Sequence, residues 1–451
     1  MSVTIQDIKT IFPHNTIILA SNTILPRFCQ DTRKLKPGDV YVAIEGPHFD
    51  GHDFVEEAFQ KGARLAMVSK PTLKRKDLVY CKNTIQALGE LASFYRKRFS
   101  GPVIAITGSS GKTTTKDLIV HILKNFGPVE GTSGNLNNHI GVPLTLLGCS
   151  EETRFFVVEL GMSAAYEIKK LTQMIQPNIG LITNIGRAHL QGFPKGLDGV
   201  VNAKGELFAE LKKNDIAVVN LDDDRIQKLP TLAQKITFGL NKEAKIRAEN
   251  LKFSENNSSF DLEVEGKIFP VKLKMVGRHH VSNALAALAV GKALGLETKK
   301  LIEGLESFSI EKNRGRLLRH KNLIIMDDTY NANPDSMISA LESFQCLYPH
   351  QKKIAVLGEM LELGKDSEKL HEEIGEKAQK LGFTAIFSYG EMGKFYQRGF
   401  GRKTPDHHFD DHKKIAKKIL ELAKEGHEGL AVLIKGSRGM TMEKVLEEIL
   451  K

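Results

Sequence analysis

The chain has 451 residues, of which 41% are hydrophobic, and its 64 Lys and Arg against 54 Asp and Glu give a net charge of +10. That length exceeds what one core usually organises, so two to four domains are expected. No stretch approaches the roughly 18 apolar residues that a membrane-spanning helix needs, and Met1-Ser-Val-Thr-Ile-Gln-Asp lacks the basic and apolar regions of a signal peptide.

Cys29, Cys81, Cys149 and Cys346 are widely spaced, with no C-x-x-C. This argues against zinc and against a disulfide framework, and fits a reducing cytoplasm. The positive charge suits a small polyanionic substrate or a generally basic solvated surface. A nucleic-acid-binding ATPase is the alternative reading of that charge, but no basic block or aromatic-rich RNA motif stands out, so no nucleic-acid partner is expected.

In the first region, residues 1–83, Pro37-Gly38-Asp39 signals a turn and residues 40–44 read as a strand. Residues 53–62 read as a short helix that Asp53 could cap, and residues 64–69 as another strand. This is a small α/β unit without a phosphate loop. Asp31-Thr-Arg33 precedes the turn and Asp50-Gly-His52 precedes the helix; both fit local turn chemistry. Residues 71–77, with Lys74-Arg-Lys76, read as a solvated loop.

The second region, residues 84–312, opens on a helix over 84–99. Residues 103–106 then form a short apolar run that reads as a buried strand of a parallel sheet. The run breaks at Gly108. An amphipathic helix follows, with Leu118, Ile119, Ile122, Leu123 and Phe126 on one face and Gly127 as its C-cap. Strand, glycine turn and helix start make an anion site, because backbone N–H groups and the positive helix end point to one place. Thr107, Gly108, Ser109, Ser110, Gly111, Lys112, Thr113 and Thr114 are therefore the nucleotide-binding candidates. Lys112 supplies charge for the outer phosphates, and the Thr113 hydroxyl suits Mg²⁺. The general pattern G-x-x-x-x-G-K-[ST] wants glycine at 106, where Ile106 stands, so this loop is a shorter form. A P-loop kinase remains open at this point.

Beyond that helix, Asn135, Asn137 and Asn138 lie in a glycine-bearing loop suited to a polar ligand. Residues 154–161 are β-rich, and Glu159 sits near the C-terminal strand end, where parallel sheets place ligands and where a carboxylate suits Mg²⁺. Residues 178–184 form another strand, with His189 five residues past Asn184. Asn202-Ala-Lys-Gly-Glu206 reads as the opening of a helix. Lys204 there is electrostatically odd, since cations favour the other helix end. Residues 215–220 form a strand followed by Asp222-Asp-Asp224, residues 245–275 read as a β insertion, and an Ala-rich helix with Asn283 starts at Arg278.

The third region, residues 313–451, returns to strand–helix alternation. Strands over 323–326, 353–357, 385–389 and 430–434 end in polar runs, Asp327-Asp-Thr-Tyr-Asn-Ala-Asn-Pro-Asp335 and Lys435-Gly-Ser-Arg-Gly439 among them. This is an open Rossmann-like sheet, without G-x-G-x-x-G. Residues 392–411, rich in His and Lys, read as solvated surface. The fold class is α/β in three domains: a small α/β N-terminal domain, a central P-loop ATPase-like parallel-sheet domain and a C-terminal Rossmann-like domain.

Thr107-Gly-Ser-Ser-Gly-Lys-Thr-Thr114, Gly134-Asn-Leu-Asn-Asn138, Glu159-Leu-Gly161, Asn184 with His189, Lys204-Gly-Glu206 and Arg316 occur in this order. Together they resemble the Mur ligase family, the cytoplasmic ATP-dependent ligases that build the peptidoglycan stem peptide. Asp328-Thr-Tyr-Asn-Ala-Asn-Pro-Asp-Ser-Met337, Gly358-Glu-Met-Leu-Glu-Leu-Gly364, Asp31-Thr-Arg33 and Asp50-Gly-His52 resemble the member that joins D-alanyl-D-alanine to UDP-N-acetylmuramoyl-tripeptide. The D-N-P-R signature of the diaminopimelate-adding relatives is missing, and folylpolyglutamate synthetases would lack the N-terminal unit.

The resemblance implies an acyl-phosphate route to an amide, with ATP, two Mg²⁺ ions and a CO₂-derived carbamate on Lys204. It implies catalytic roles for Lys112, Lys204, His189 and Glu159, and metal contacts from Thr113, Glu159, His189 and carbamoylated Lys204. Asn283, Arg316, Asp328, Asn331 and Asn333 match nucleotide-contacting positions or their neighbours. Thr32 and Arg33, with Asp50 and His52 behind them, would meet the UDP end of the substrate, and Asn135, Asn137 and Asn138 its sugar-peptide portion. A cytoplasmic monomer is expected.

Overall fold

The computed structural model describes residues 3–15, 17–70, 75–310, 314–401, 407–425 and 429–451. Met1, Ser2, Lys74 and much of the loop over 71–77 lie outside the described residues, as do the boundary at 312/313 and residues 402–406.

The chain opens with β1 (Val3–Thr4), α1 (Ile5–Ile11) and β2 (Ile24–Leu25), the two strands pairing antiparallel. A parallel four-stranded sheet follows in the order β3 (Phe28–Cys29), β4 (Val40–Val42), β5 (Leu65–Val68), β6 (Leu78–Tyr80), with α2 (Val55–Gln60) crossing from β4 to β5. Strand alternation divides its apolar residues. Val40, Val42, Leu65 and Met67 join the large core shared with the next unit, while Tyr41, Ala66 and Val68 pack beneath α2. The helix expected over 53–62 begins with a 3-10 turn capped by Asp50, not Asp53, because the Asp50 carboxylate accepts from the His52 N–H.

The second unit runs α3 (Thr84–Arg96), β7 (Val103–Thr107), α4 (Lys112–Leu123), β8 (Val129–Gly131), α5 (Gly141–Leu147), β9 (Phe155–Glu159), α6 (Glu167–Ile175), β10 (Ile179–Ile182), α7 (Leu197–Ala209), β11 (Ile216–Asn220), α8 (Asp224–Gln227) and β12 (Gln234–Gly239). It continues through β13 (Ile246–Ser254), β14 (Asn257–Val264), β15 (Lys267–Leu273), α9 (Arg278–Ala293) and α10 (Thr298–Ser307). The nine strands form one sheet, ordered β15-β14-β13-β12-β11-β10-β7-β9-β8. The expected β insertion is therefore the antiparallel margin of the main sheet, joined to it by the parallel β12–β13 pair.

Strand β7 is covered on both faces. Val103 and Ala105 enter one core; Ile104 and Ile106 enter the other, against α4, α9 and α10. Chain order reverses here, because β9 flanks β7 on one side and β10 on the other. A crevice forms at such a reversal, beyond the carboxyl ends of the strands.

The third unit is β16 (Arg316–His320), β17 (Leu323–Asp328), α11 (Pro334–Leu347), β18 (Lys353–Gly358), α12 (Ser367–Lys380), β19 (Ala385–Tyr389), α13 (Gly393–Phe400), β20 (His408–Phe409), α14 (His412–Glu425), β21 (Leu430–Lys435) and α15 (Glu443–Ile449). Its sheet order is β16-β17-β21-β18-β19-β20, with only β16 antiparallel among the described pairings.

Three sequence expectations need correction. Residues 392–411 are not simply solvated surface, because α13 buries Phe395, Tyr396 and Phe400. Helix α4 ends on Lys124 rather than Gly127, which lies beyond it at φ 149°. Lys204 is not near a helix start: α7 begins at Leu197, so Lys204 stands in its second half. Its oddity is burial, not a clash with the helix dipole.

Helix α9 is buried almost all round, with Leu285 at 0% exposure in the core beside β7. Leu285→Ala is expected to cost about 2–5 kcal/mol, through lost transfer energy and a residual cavity. Urea unfolding followed by circular dichroism should show the lowered midpoint.

Candidate active site

The carboxyl ends of the central and third sheets enclose a cleft of about 2210 Å³. Its lining includes the glycine-bearing loop from Ser109 to Thr114, Asn135, Asn137, Asn138, Glu159, His189, Asn283, Asp328, Asn331 and Asn333. Arg316, Thr32 and Arg33 do not line it. Arg316 is exposed on the edge strand β16. Thr32 is buried in the first unit, and Arg33 is paired with Asp31 at 2.8 Å. Asp50 and His52 hold each other at 2.6 Å, with His52 Nε2 accepting from the Ser69 N–H.

The loop after β7 turns on two glycines in the left-handed half of backbone space, Gly108 at φ 154° and Gly111 at φ 78°. A Cβ on Gly108 would stand 1.9 Å from Thr183 Oγ1, so this position also requires the missing side chain. Thr183 Oγ1 donates to the Ser110 carbonyl at 2.7 Å, and Asn184 Oδ1 accepts from the Ser110 N–H at 2.9 Å. The end of β10 thus braces the turn. Lys112 opens α4, and its ammonium donates to the Gly108 carbonyl at 2.9 Å. Burial pushes its pKa down, Arg314 contributes in the same direction, and Glu159 opposes both.

Lys204 reaches the same Gly108 carbonyl at 2.9 Å from beneath the loop and is 1% exposed. Desolvation drives its pKa well below the ordinary lysine value; Lys112 adds to this and Glu159 resists it. Glu206 does not pair with it, because that carboxylate caps α6 by accepting from the N–H groups of Tyr166 and Lys169.

Glu159 ends β9 at 3% exposure. One carboxylate oxygen accepts from Thr113 Oγ1 and the other from Asn137 Nδ2, both at 2.8 Å. Thr113 and Glu159 therefore present hard oxygen donors side by side next to the glycine turn. Among the described residues no group of three His, Cys, Asp or Glu forms a metal cage. That donor set fits Mg²⁺, which is held by few protein oxygens and completes its shell with phosphate and water.

His189 has φ 58°, and its Nδ1 meets Glu362 of the third unit. The neighbouring runs also join across the cleft. Asn333 Nδ2 donates to Ser110 Oγ at 3.1 Å, and within the third unit Asp328 and the Asn331 carbonyl accept from buried Lys435 at 2.6 and 2.9 Å. Asn138 spends its side-chain oxygen on the Ile140 and Gly141 N–H groups at the start of α5.

Several lining residues escaped the sequence reading. Arg314 lies over the Tyr330 ring at 3.7 Å, and His279 and His280 line the cleft beside Asn283. His280 Nδ1 is buried without a partner. The basic run around Arg316 was a signal for Arg314, but not for which arginine faces inward.

Removing the buried amine tests its energetics. In CO₂-free buffer, Lys204→Met is expected to raise stability at pH 7, since Lys112 still serves the Gly108 carbonyl. Between the lowered native pKa and the ordinary value, the unfolded chain binds more protons, so the parent gains stability as pH rises. The advantage of Lys204→Met should shrink from pH 7 towards pH 10 in denaturant titrations.

Comparison with known proteins carries these features further. The Mur ligase family catalytic domain matches residues 29–96, the Mur ligase middle domain residues 106–291, and the Mur ligase glutamate ligase domain residues 313–438. The UDP-N-acetylmuramoyl-tripeptide–D-alanyl-D-alanine ligase of Buchnera aphidicola subsp. Baizongia pistaciae is 37% identical over 93% of this chain and 91% of its own. The Escherichia coli protein of that name is 33% identical over 100% and 98%. MurF from Acinetobacter baumannii superposes with a TM-score of 0.92 at 30% identity, covering 100% of this chain and 99% of that one. MurF ligase from Thermotoga maritima, solved in complex with ADP, gives 0.84 at 31% identity over 94% and 97%. Shared sequence along nearly the whole length, on the same architecture, establishes that the chain belongs to the Mur ligase family.

Proposed function

We propose that this chain joins D-alanyl-D-alanine to UDP-N-acetylmuramoyl-tripeptide in the cytoplasm, cleaving ATP to ADP and phosphate. The terminal carboxylate of the tripeptide attacks the γ-phosphorus, the β–γ bond breaks and ADP leaves. The dipeptide amine then attacks the acyl carbon. The tetrahedral intermediate expels phosphate, and the new amide nitrogen loses its extra proton.

The observation that carries this reading is the meeting of Lys112, Lys204, Thr113 and Glu159 at one turn. A free carboxylate resists amines because its leaving group would be oxide; phosphorylation corrects that. The obstacle is bringing two anions together, which costs about 4 kcal/mol for unit charges about 4 Å apart at an effective dielectric of 20. Lys112 offsets part of this. Thr113 and Glu159 would hold one Mg²⁺ ion, and His189 with a carbamate on Lys204 a second, supplying further charge for phosphoryl transfer. Burial suits Lys204 to that modification, because only a neutral amine attacks CO₂ and desolvation favours the neutral form.

Residues 1–83 take the UDP end, with Thr32 and Arg33 in the loop after β3. Residues 84–312 bind ATP. Residues 313–451 close the site through Asp328, Asn331 and Asn333, with Arg316 on the neighbouring edge strand β16. Asn135 and Asn137 face the sugar-peptide portion, and Asn138 shapes that loop. Closure excludes water, which would otherwise hydrolyse the acyl phosphate. The active unit is the monomer.

Phosphate release should require both the UDP-muramoyl tripeptide and D-alanyl-D-alanine, and amide should accumulate with it. Turnover indifferent to the dipeptide would instead indicate a kinase or a simple ATPase. Lys112→Ala and Lys204→Ala are each expected to lower ligation at least about a hundredfold, with unchanged circular dichroism. A Lys204→Ala enzyme as active as the parent would remove the carbamate from the mechanism.

A further inference from the structure

The loop between β10 and α7 is bonded on two sides. Towards the nucleotide turn, the Gly186 N–H donates to Ser109 Oγ at 2.8 Å, and Asn184 Nδ2 donates to the Ser110 carbonyl at 3.0 Å. Towards the third unit, the Arg187 N–H donates to Asp335 Oδ2 at 2.6 Å and its guanidinium to Oδ1 at 2.9 Å. The same guanidinium donates to both oxygens of Glu373, at 2.9 and 2.7 Å. Asp335 lies in the first turn of α11 and Glu373 on α12, so one side chain grips two helices of the opposite unit.

Two details show that this contact is built in. A Cβ on Gly186 would stand 2.2 Å from Asp335 Oδ2, so the carboxylate is seated against the loop backbone. Arg187 is 25% exposed and each carboxylate 40%, which shields the bonds while leaving water a way in when they break. Arg187 and Glu373 do not line the cleft, so any influence on the reaction passes through other groups.

We propose that Arg187 is a positioning residue that keeps the third unit docked on the nucleotide turn while the acyl phosphate exists. This rests on the ligase reading above. A planar guanidinium satisfying two carboxylates fixes the orientation of α11 and α12 as well as their distance, which a single ammonium does not. Through α11 it sets Asn333, which touches Ser110, and through its own loop it sets His189. Opening for product release must break these charge-assisted bonds together.

The test is the ratio of amide formed to phosphate released, measured with saturating substrates. In the parent enzyme the two should match. Arg187→Ala is expected to lower this ratio about twofold or more, because water reaches the acyl phosphate before the amine does. Glu373→Gln, at a residue outside the cleft that bonds Arg187, should shift the ratio the same way by less, and Arg187→Lys should fall between Arg187→Ala and the parent. Variants that slow both products equally, or change neither, would overturn the proposal. A parent enzyme that releases phosphate without amide would overturn the ligase reading instead.

Discussion

Two lysines donate to one carbonyl oxygen, that of Gly108, and much of the molecule follows from this crowding. Lys112 arrives from the start of α4 and Lys204 from the middle of α7. Two ammonium groups held together away from water are unfavourable unless an anion arrives or a proton leaves. The interior presses Lys204 towards its neutral form, Lys112 presses the same way, and Glu159 opposes them. The turn thus carries positive charge on its open side and a desolvated amine beneath. The sheet makes this possible by placing β7 between β9 and β10, which brings Glu159 and Thr183 to the same end.

A nucleotide turn alone does not decide what is phosphorylated. The third sheet brings its own carboxyl ends to face the first set, and its strand-end residues are committed to shaping a wall. Lys435 is buried against Asp328 and the Asn331 carbonyl, fixing the β17–α11 connection. Asn333 caps α11 with its side-chain oxygen while its amide touches Ser110. The residue that starts a helix therefore also marks the seam between units. Arg314, stacked on Tyr330, adds positive charge that reaches Lys112.

The central strands and the glycine turn were legible because their signals are local. An unbroken Val/Ile run means a strand covered on both faces, and a glycine before Lys-Thr means a turn feeding a helix. The start of helix α7 is hidden in the sequence because its N-cap, Gly196 at φ 56°, makes no side-chain cap bond, leaving no polar marker at Leu197. Short margins such as β8 and β20 lack the length for a periodic pattern. The seam was the least legible part. Arg187 meets Glu373 from 186 positions away, and no periodicity within either segment announces that pairing.

Backbone strain marks the same seam. His189 and Glu362 are both non-glycine residues in left-handed conformations, at φ 58° and 63°, and they come from opposite units to meet side chain to side chain. Left-handed backbone costs such residues about 1–2 kcal/mol each, and it persists only where the surroundings over-determine it. Here the surroundings include the Gln191 N–H donating to the Glu362 carbonyl at 3.0 Å, so a backbone bond two residues past His189 also holds Glu362. Separation of the units would release both residues from that constraint at once. Docking is therefore opposed by local conformational preference and favoured by contacts across the seam.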